Sequence, residues 1–390
     1  MRVLMLTDFP STLLRSAEGE ELWRKHFLPT PVLNLLESLS RISELEVSVL
    51  SFSRSGTAAG TLWGRIHVEM LQVPRGSGLS TLYLLRRPSV LRAVERLRPD
   101  IVHGQGIEAG YAWLATLQPC PHLLTFHGVY GVTAYLKPRG IWQHLGHVLQ
   151  RVTLRRARHI VAISHYLEDW FRQSTRASVY FIPNAVNNRF YQVKSTGKAE
   201  FDLLYVGRIT ESKGLLEAIK VVARLEKKGG RGLKMAVVGR ASDMGGEDYL
   251  KRCRQQAEAL ERSKVFFLGA VPNDKLPEIL SVSKLLVLPS QGENFSMVAA
   301  EASAAGVPVV AYRVGGLPTV VEHGETGLLV PPGDIQSLSS AVEELIGDER
   351  LRLRFARATR ERAMSWHQDT VARRTAELYG KIIAKETSWR

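Results

Sequence analysis

PSQGENFSMVAAEASAAG, residues 289–306, carries two acids, Glu293 and Glu301, on either side of the start of an apolar run. The run before it, KLLVLPS, has the composition of a buried strand and ends in the loop QGEN. Ser296 stands where an N-cap belongs, and Met297, Val298, Ala299, Ala300 and Glu301 read as the first turns of a helix. The backbone N–H groups of Phe295 to Val298 then have no intrahelical acceptor and offer a site for an anion such as a diphosphate. Glu301 falls roughly 9 Å along the axis from Phe295 at ~1.5 Å per residue. One acid therefore reaches one end of a diphosphate ligand and the other acid the opposite end.

Counter-charges come from YVGRITESKG, residues 205–214. Gly207 and Arg208 close a strand, and Lys213 and Gly214 precede an apolar helix, so two cationic heads converge where the strand meets the helix. A solvated surface turn has the same composition, and both readings stand on this segment alone.

Outward from these segments, short Val-, Ile- and Leu-rich runs alternate with helical patterns along all 390 residues. Such alternation predicts an α/β fold built of parallel sheets covered on both faces. Seven strand candidates occupy the first half: RVLMLTD, EVSVLSF, IHVEMLQV, DIVHGQG, HLLTFHG, HIVAIS and VYFIPN. Six follow in the second: FDLLYVGR, LKMAVVGR, KVFFLGA, KLLVLPS, VPVVAYR and TGLLVPP. The polar stretch 187–201 between them reads as a linker with little to bury. Two Rossmann-like domains are expected, 1–190 and 191–365, facing each other across a cleft. A helix over 366–390 would pack back on the first domain.

The net charge is +14, of which +10 lies in residues 1–200. A basic half suits nucleic acid, an anionic membrane surface or a phosphorylated substrate. Nucleic acid is disfavoured, because interleaved aromatics, a recognition helix and a zinc module are missing. GIWQHLGHVLQRVTLRRARH, residues 140–159, sets Ile141, Trp142, Leu145, Leu149 and Val152 at helical spacing ahead of Arg151, Arg155, Arg156 and Arg158. That pattern fits an interfacial helix on anionic lipid, and equally a core helix with cations at its negative end. The opening MRVLMLTDF lacks the features of a signal peptide, and no run reaches the ~18 apolar residues of a membrane span. A cytoplasmic protein, peripheral on the inner membrane face if the helix is interfacial, is the expectation. Cys120 and Cys253 suggest neither a disulfide framework nor a zinc site.

His127, in LLTFHGVYG, follows a buried strand of the first domain and precedes Gly128, so it is expected to face the cleft between the domains, although a lone histidine there is often structural. His103 in DIVHGQG is a weaker candidate, and His165 reads as a helix-start residue.

The acidic pair and the basic turn, in this order, resemble the retaining glycosyltransferases of GT-B architecture, family 4. Glu293 and Glu301 match that family's Glu, seven residues, Glu mark, and residues 289–334 are similar to its donor-binding block over their length. VGRITESKG is similar to its phosphate-contacting turn. The resemblance is close over the second domain and holds in outline over the first. It implies that Gly207, Arg208 and Lys213 hold the diphosphate of a nucleotide-sugar donor, helped by backbone amides at Phe295, Ser296 and Met297. It further implies that Glu301 binds the ribose hydroxyls, that Glu293 and His127 sit at the transferred sugar, and that Asn294 borders it. The family's chemistry implies hexosyl transfer, UDP-sugars ahead of GDP-mannose, to a glycan or lipid-linked acceptor of cell-surface polysaccharide or glycolipid synthesis.

Two departures from the family pattern stand out. The first loop, TDFPSTLLRSAEGEELW, has Gly19 alone where relatives often carry paired glycines. Asn294 and Ser296 stand where glycine is frequent; Asn tolerates positive φ and Ser can cap.

No Asp-x-Asp occurs, so metal-independent transfer is expected, with no cofactor and the leaving-group charge met by Arg208, Lys213 and the helix dipole. A nucleotide-sugar epimerase on the same scaffold and a non-enzymatic basic binding protein are the alternatives. A dehydrogenase is excluded, because neither first βα turn carries G-x-G-x-x-G.

Overall fold

The computed structural model describes residues 1–387 except 11–29, 54–55, 74–75, 77, 108, 132–140, 195–198, 230 and 242–245. The chain forms two compact units, residues 1–185 with 368–390, and residues 186–367. Among the described residues, no helix is long and apolar enough to cross a membrane.

In the first unit the chain runs β1 (Arg2–Leu6), α1 (Thr30–Leu39), β2 (Glu46–Ser53), β3 (Ala58–Leu62) and β4 (Ile66–Gln72). It continues through α2 (Arg87–Leu97), β5 (Ile101–Gln105), α3 (Tyr111–Ala115), β6 (His122–Thr125) and α4 (Ile141–Arg156) to β7 (His159–Ala162), α5 (His165–Ser174) and β8 (Ser178–Phe181). The sheet order is β3-β4-β2-β1-β5-β6-β7-β8. β1 pairs in parallel with β2 on one side and β5 on the other, so the order reverses there and leaves a crevice beyond their C-terminal ends. Every residue of β5, β6 and β7 is buried, as the apolar runs require of central strands covered on both faces.

One strand is antiparallel and was not among the sequence candidates. β3 joins β4 through the three residues 63–65, with Leu62 opposite Ile66; Trp63 and Gly64 take left-handed φ of 48° and 68°, and the Arg65 N–H donates to the Leu62 carbonyl at 3.1 Å. AAGTL carries too little β-propensity to stand out, and Trp at a left-handed position is no turn signal. The C-terminal helix, Gln368–Thr387, belongs to this unit and packs on α1. Ser38 Oγ donates to Asp369 at 2.7 Å, and the Arg374 guanidinium donates to the Phe181 carbonyl at 2.7 Å. As its spacing indicated, His165 opens a helix: Ser164 caps α5 and accepts from the Leu167 N–H at 3.3 Å.

The second unit runs α6 (Asn188–Tyr191), β9 (Phe201–Val206), α7 (Leu215–Lys227), β10 (Lys234–Val238), α8 (Gly246–Glu258), β11 (Lys264–Gly269) and α9 (Leu276–Ser281). It then passes through β12 (Ser283–Leu288), α10 (Met297–Ala305), β13 (Val309–Tyr312), α11 (Leu317–Val320), β14 (Gly327–Val330), α12 (Ile335–Gly347) and α13 (Glu349–Ala363). All strands are parallel in the order β11-β10-β9-β12-β13-β14, the doubly wound arrangement with its switch between β9 and β12. Leu203, Tyr205, Leu285 and Val287 on those two strands meet Ile219 and Val222 of α7 and Leu338 and Val342 of α12 in one core. Each such side chain contributes about 1.5–3 kcal/mol on burial.

The stretch read as a linker buries more than its polarity suggests. Phe190 is fully enclosed and Val193 buried, because α6 packs on α10 of the second unit.

Candidate functional site

The loops after β9 and β12 meet at the switch point of the second unit, and contacts that leave no room for side chains fix their approach. The Gln291 N–H donates to the Ser212 carbonyl at 2.9 Å. Gly214, at φ 74°, lies so close to Pro289 that a Cβ there would stand 2.1 Å from its carbonyl oxygen. On the other side a Cβ on Gly315, at φ 48°, would stand 2.1 Å from the Glu293 carbonyl oxygen, which accepts from the Gly316 N–H at 2.8 Å. The Glu293 loop is thus clamped between the β9–α7 turn and the β13–α11 loop, and only glycine permits each approach.

In this clamp Lys213 Nζ donates to Glu293 Oε1 at 2.7 Å, with both side chains largely buried. The basic turn and the acidic loop are therefore one charged unit. Arg208 is exposed at the end of β9 and has no side-chain partner among the described residues. Gly207 beside it is half-buried, and a Cβ there would meet nothing closer than 3.6 Å, so its own conformation does not demand glycine. Asn294 and Met297 are half-buried, and Phe295 is buried edge-on against Trp366, ring centroids 6.4 Å apart.

Ser296 departs from its expected role. It occupies the N-cap position of α10, but its side chain makes no capping hydrogen bond and its φ is 77°. The positive φ falls on this serine, where Asn294 was the residue expected to tolerate it. A β-carbon residue in this region stores about 1–3 kcal/mol, held by the packing around it. The Ala300 N–H bonds back to the Ser296 carbonyl at 3.1 Å, leaving the amides before it without an intrahelical acceptor at the switch point. At the other end, Gly306 closes α10 at φ 77°, and Arg360 donates to the carbonyl oxygens of Ala305 and Val193, both at 2.7 Å. A cation there suits the helix's negative end.

Glu301 lies in the all-buried stretch of α10. Asn273 donates to it at 3.4 Å, and Arg189 of α6 adds positive charge nearby. Burial nevertheless dominates and pushes its carboxyl up to about 7. Neither Asn273 nor Arg189 was among the sequence candidates; each lies in a polar segment whose approach to α10 depends on the packing of α6 and α9.

In the first unit, His127 turns its imidazole inward: Nε2 lies 2.9 Å from Gln105 Oε1, and Asn184 lines the same cavity as these two side chains. Burial lowers its pKa to about 4. His103, fully buried, sits between Tyr379 Oη, 2.6 Å from Nδ1, and Thr125 Oγ1, 2.8 Å from Nε2; burial lowers its pKa to about 3. The first loop, with Gly19, lies outside the described residues.

The basic helix divides its faces. Leu149, Gln150, Thr153 and Leu154 of α4 are buried, so Leu149 serves the core; Leu145 and Val152 are half-buried. Ile141, Trp142, His144, Val148, Arg151 and Arg155 are exposed, apolar in the first turns and basic in the last. Arg156 turns aside over the Trp113 ring at 6.0 Å, and Arg158 pairs with Glu386 at 2.8 Å.

Comparison with known proteins matches this arrangement over most of the chain. The family described as Glycosyl transferases group 1 matches residues 188–362, and Glycosyltransferase Family 4 matches residues 30–190. The chain belongs to the family 4 glycosyltransferases. Among relatives of this glycosyltransferase is the glycogen synthase of Mycobacterium tuberculosis (strain CDC 1551 / Oshkosh), 29% identical over 72% of this chain and 69% of the relative. Sucrose-phosphate synthase from Thermosynechococcus elongatus superposes with a TM-score of 0.78 at 19% identity, covering 98% of this chain and 99% of that one. HepE of Anabaena in complex with UDP-glucose superposes at 0.70 with 21% identity, covering 98% and 100%. These likenesses establish the GT-B fold of the glycosyltransferase. Transferase membership replaces the epimerase and binding-protein alternatives.

Proposed function

We infer that this glycosyltransferase moves a hexose from a nucleotide-diphosphate sugar, a UDP-sugar ahead of GDP-mannose, with retention at the anomeric carbon. The observation that carries the reading is the clamp at the β9/β12 switch point. It sets Lys213, Glu293 and the amides opening α10 in one place, with Glu301 eight residues beyond Glu293. HepE, a fold neighbour solved with UDP-glucose, supports the choice of nucleotide.

In this reading Arg208 and Lys213 meet the diphosphate with the amides of Phe295, Ser296 and Met297. Glu301 accepts from the ribose hydroxyls, Glu293 and Asn294 border the transferred sugar, and His127 acts at that sugar. Charge developing on the departing diphosphate is met by these fixed donors and the α10 dipole, without a metal ion or other cofactor. A thermal-shift panel of UDP-, GDP- and ADP-sugars tests the donor. UDP-sugars are expected to give the largest shift, and a larger shift with another nucleotide would reassign it. Activity that EDTA abolishes and Mg²⁺ or Mn²⁺ restores would refute metal independence.

The acceptor we assign is a glycan or lipid-linked saccharide of cell-surface polysaccharide or glycolipid synthesis, met at the inner face of the cytoplasmic membrane. The exposed Ile141, Trp142 and Val148 beside Arg151 and Arg155 support work at an anionic surface. In a flotation assay the protein is expected to rise with vesicles containing anionic lipid. Equal behaviour with neutral vesicles would remove the membrane from this account.

A further inference from the structure

His103 and Gln105 lie two residues apart on β5, so their side chains leave the sheet on one face. With Thr125, His127, Asn184 and Thr375 they line a cavity of about 30 Å³, room for a water molecule or two. Through it runs a chain of contacts: Tyr379 Oη to His103 Nδ1 at 2.6 Å, His103 Nε2 to Gln105 Nε2 at 3.2 Å, and Gln105 Oε1 to His127 Nε2 at 2.9 Å. Both imidazoles are held neutral by burial, so each has one proton to place.

An amide gives the chain a direction. Its NH₂ only donates and its carbonyl only accepts. The NH₂ of Gln105 faces His103 Nε2, which must then be bare, so His103 carries its proton on Nδ1 and donates it to Tyr379. The Gln105 carbonyl faces His127, whose proton must therefore be on Nε2. Without the Tyr379 hydroxyl, the His103 Nδ1–H would be left in the core with no acceptor, at a cost of about 1–3 kcal/mol. Moving that proton to Nε2, where the Thr125 hydroxyl accepts as readily as it donates, avoids the cost. Gln105 must then turn its amide over, and the His127 proton moves to Nδ1.

We propose that Tyr379 is a positioning residue, which through His103 and Gln105 holds His127 in its Nε2-protonated tautomer with its ring fixed. The proposal rests on the reading that His127 acts at the transferred sugar. It gives the C-terminal helix a part in the reaction without a contact to substrate.

The test is a long-range ¹H–¹⁵N spectrum of the full-length chain labelled at histidine, beside steady-state kinetics. In the unaltered protein His127 is expected to be protonated at Nε2. In Tyr379→Phe it is expected to be protonated at Nδ1, with kcat down roughly tenfold and the donor KM within about twofold. Gln105→Glu presents acceptors to both rings, so the double variant Tyr379→Phe/Gln105→Glu should return His127 to Nε2–H and recover turnover. The same His127 tautomer in the unaltered protein and Tyr379→Phe overturns the proposal. If Tyr379→Phe does not fold, the tautomer in Gln105→Leu decides: an unchanged, single Nε2–H form there is equally fatal. His127→Ala separates the two levels. Wild-type turnover in that variant would remove His127 from the function, while the spectrum alone decides the relay.

Discussion

Lys213 donates to Glu293 across 2.7 Å, joining residues 80 positions apart in the second unit. The pair is too enclosed to behave as a surface ion pair, and removing one partner leaves the other charge poorly solvated. Lys213→Ala is expected to cost about 2–4 kcal/mol of stability, and about 10²–10³ in turnover if it also meets the leaving diphosphate. Lys213→Ala/Glu293→Gln should recover most of the stability and none of the activity, by thermal melts and initial rates. Recovery of both would make the pair structural alone.

Glu301, with its pKa raised to about 7 by burial, ties donor binding to pH. A carboxyl accepting from two hydroxyls must be ionised, so donor affinity should rise about tenfold from pH 6 to pH 8. Because the folded pKa lies above the unfolded one, Glu301 favours the fold below its ordinary range, and that contribution is lost as pH rises through about 7. Glu301→Gln should bind donor weakly and without this dependence, as isothermal titration across pH would show.

Two glycines with similar φ should respond differently to alanine. At Gly214, φ 74°, the new Cβ would meet the Pro289 carbonyl oxygen at 2.1 Å, whereas at Gly333, φ 80°, nothing lies within 4 Å. Gly333→Ala should cost about 1 kcal/mol of backbone strain. Gly214→Ala must also part the two loops of the clamp, so donor binding should fall with stability. Equal losses in the two variants, measured by denaturant unfolding, would mean that the clamp is not rigid.

Acid should weaken the first unit through its histidines. Burial lowers His103 to about 3 and His122 and His127 to about 4, so between pH 6.5 and 4 the unfolded chain binds protons that the folded chain refuses. Their contribution is present above about pH 6.5 and declines below it. Tm should drop across this window, and less steeply in His122→Gln.

Much of the fold was legible because its signals are local. The apolar run of β12, the helical pattern of α10 and the eight-residue step from Glu293 to Glu301 each depend on neighbours in the chain, and spacing places them correctly. The same holds for the alternation that gives two doubly wound sheets. β3 escaped because its pairing with β4 rests on a Trp-Gly turn that carries no ordinary signal. Ser296 was placed at the right position with the wrong role, since its φ is imposed by a loop squeezed between two others.

The motifs of the donor half and the order of its elements follow from residue type and interval, properties of a short stretch of chain in any surroundings. Which charges pair, which acid is raised and which hydrogen-bond donors meet a histidine depend on backbones approaching within 3 Å, and that approach is set by strand order and helix packing. Arg189 beside Glu301, Gly315 against Glu293 and Tyr379 on His103 are of this second kind. Residues 103 and 379 are 276 positions apart, and no periodicity spans that distance; they meet because the last helix returns to the first sheet.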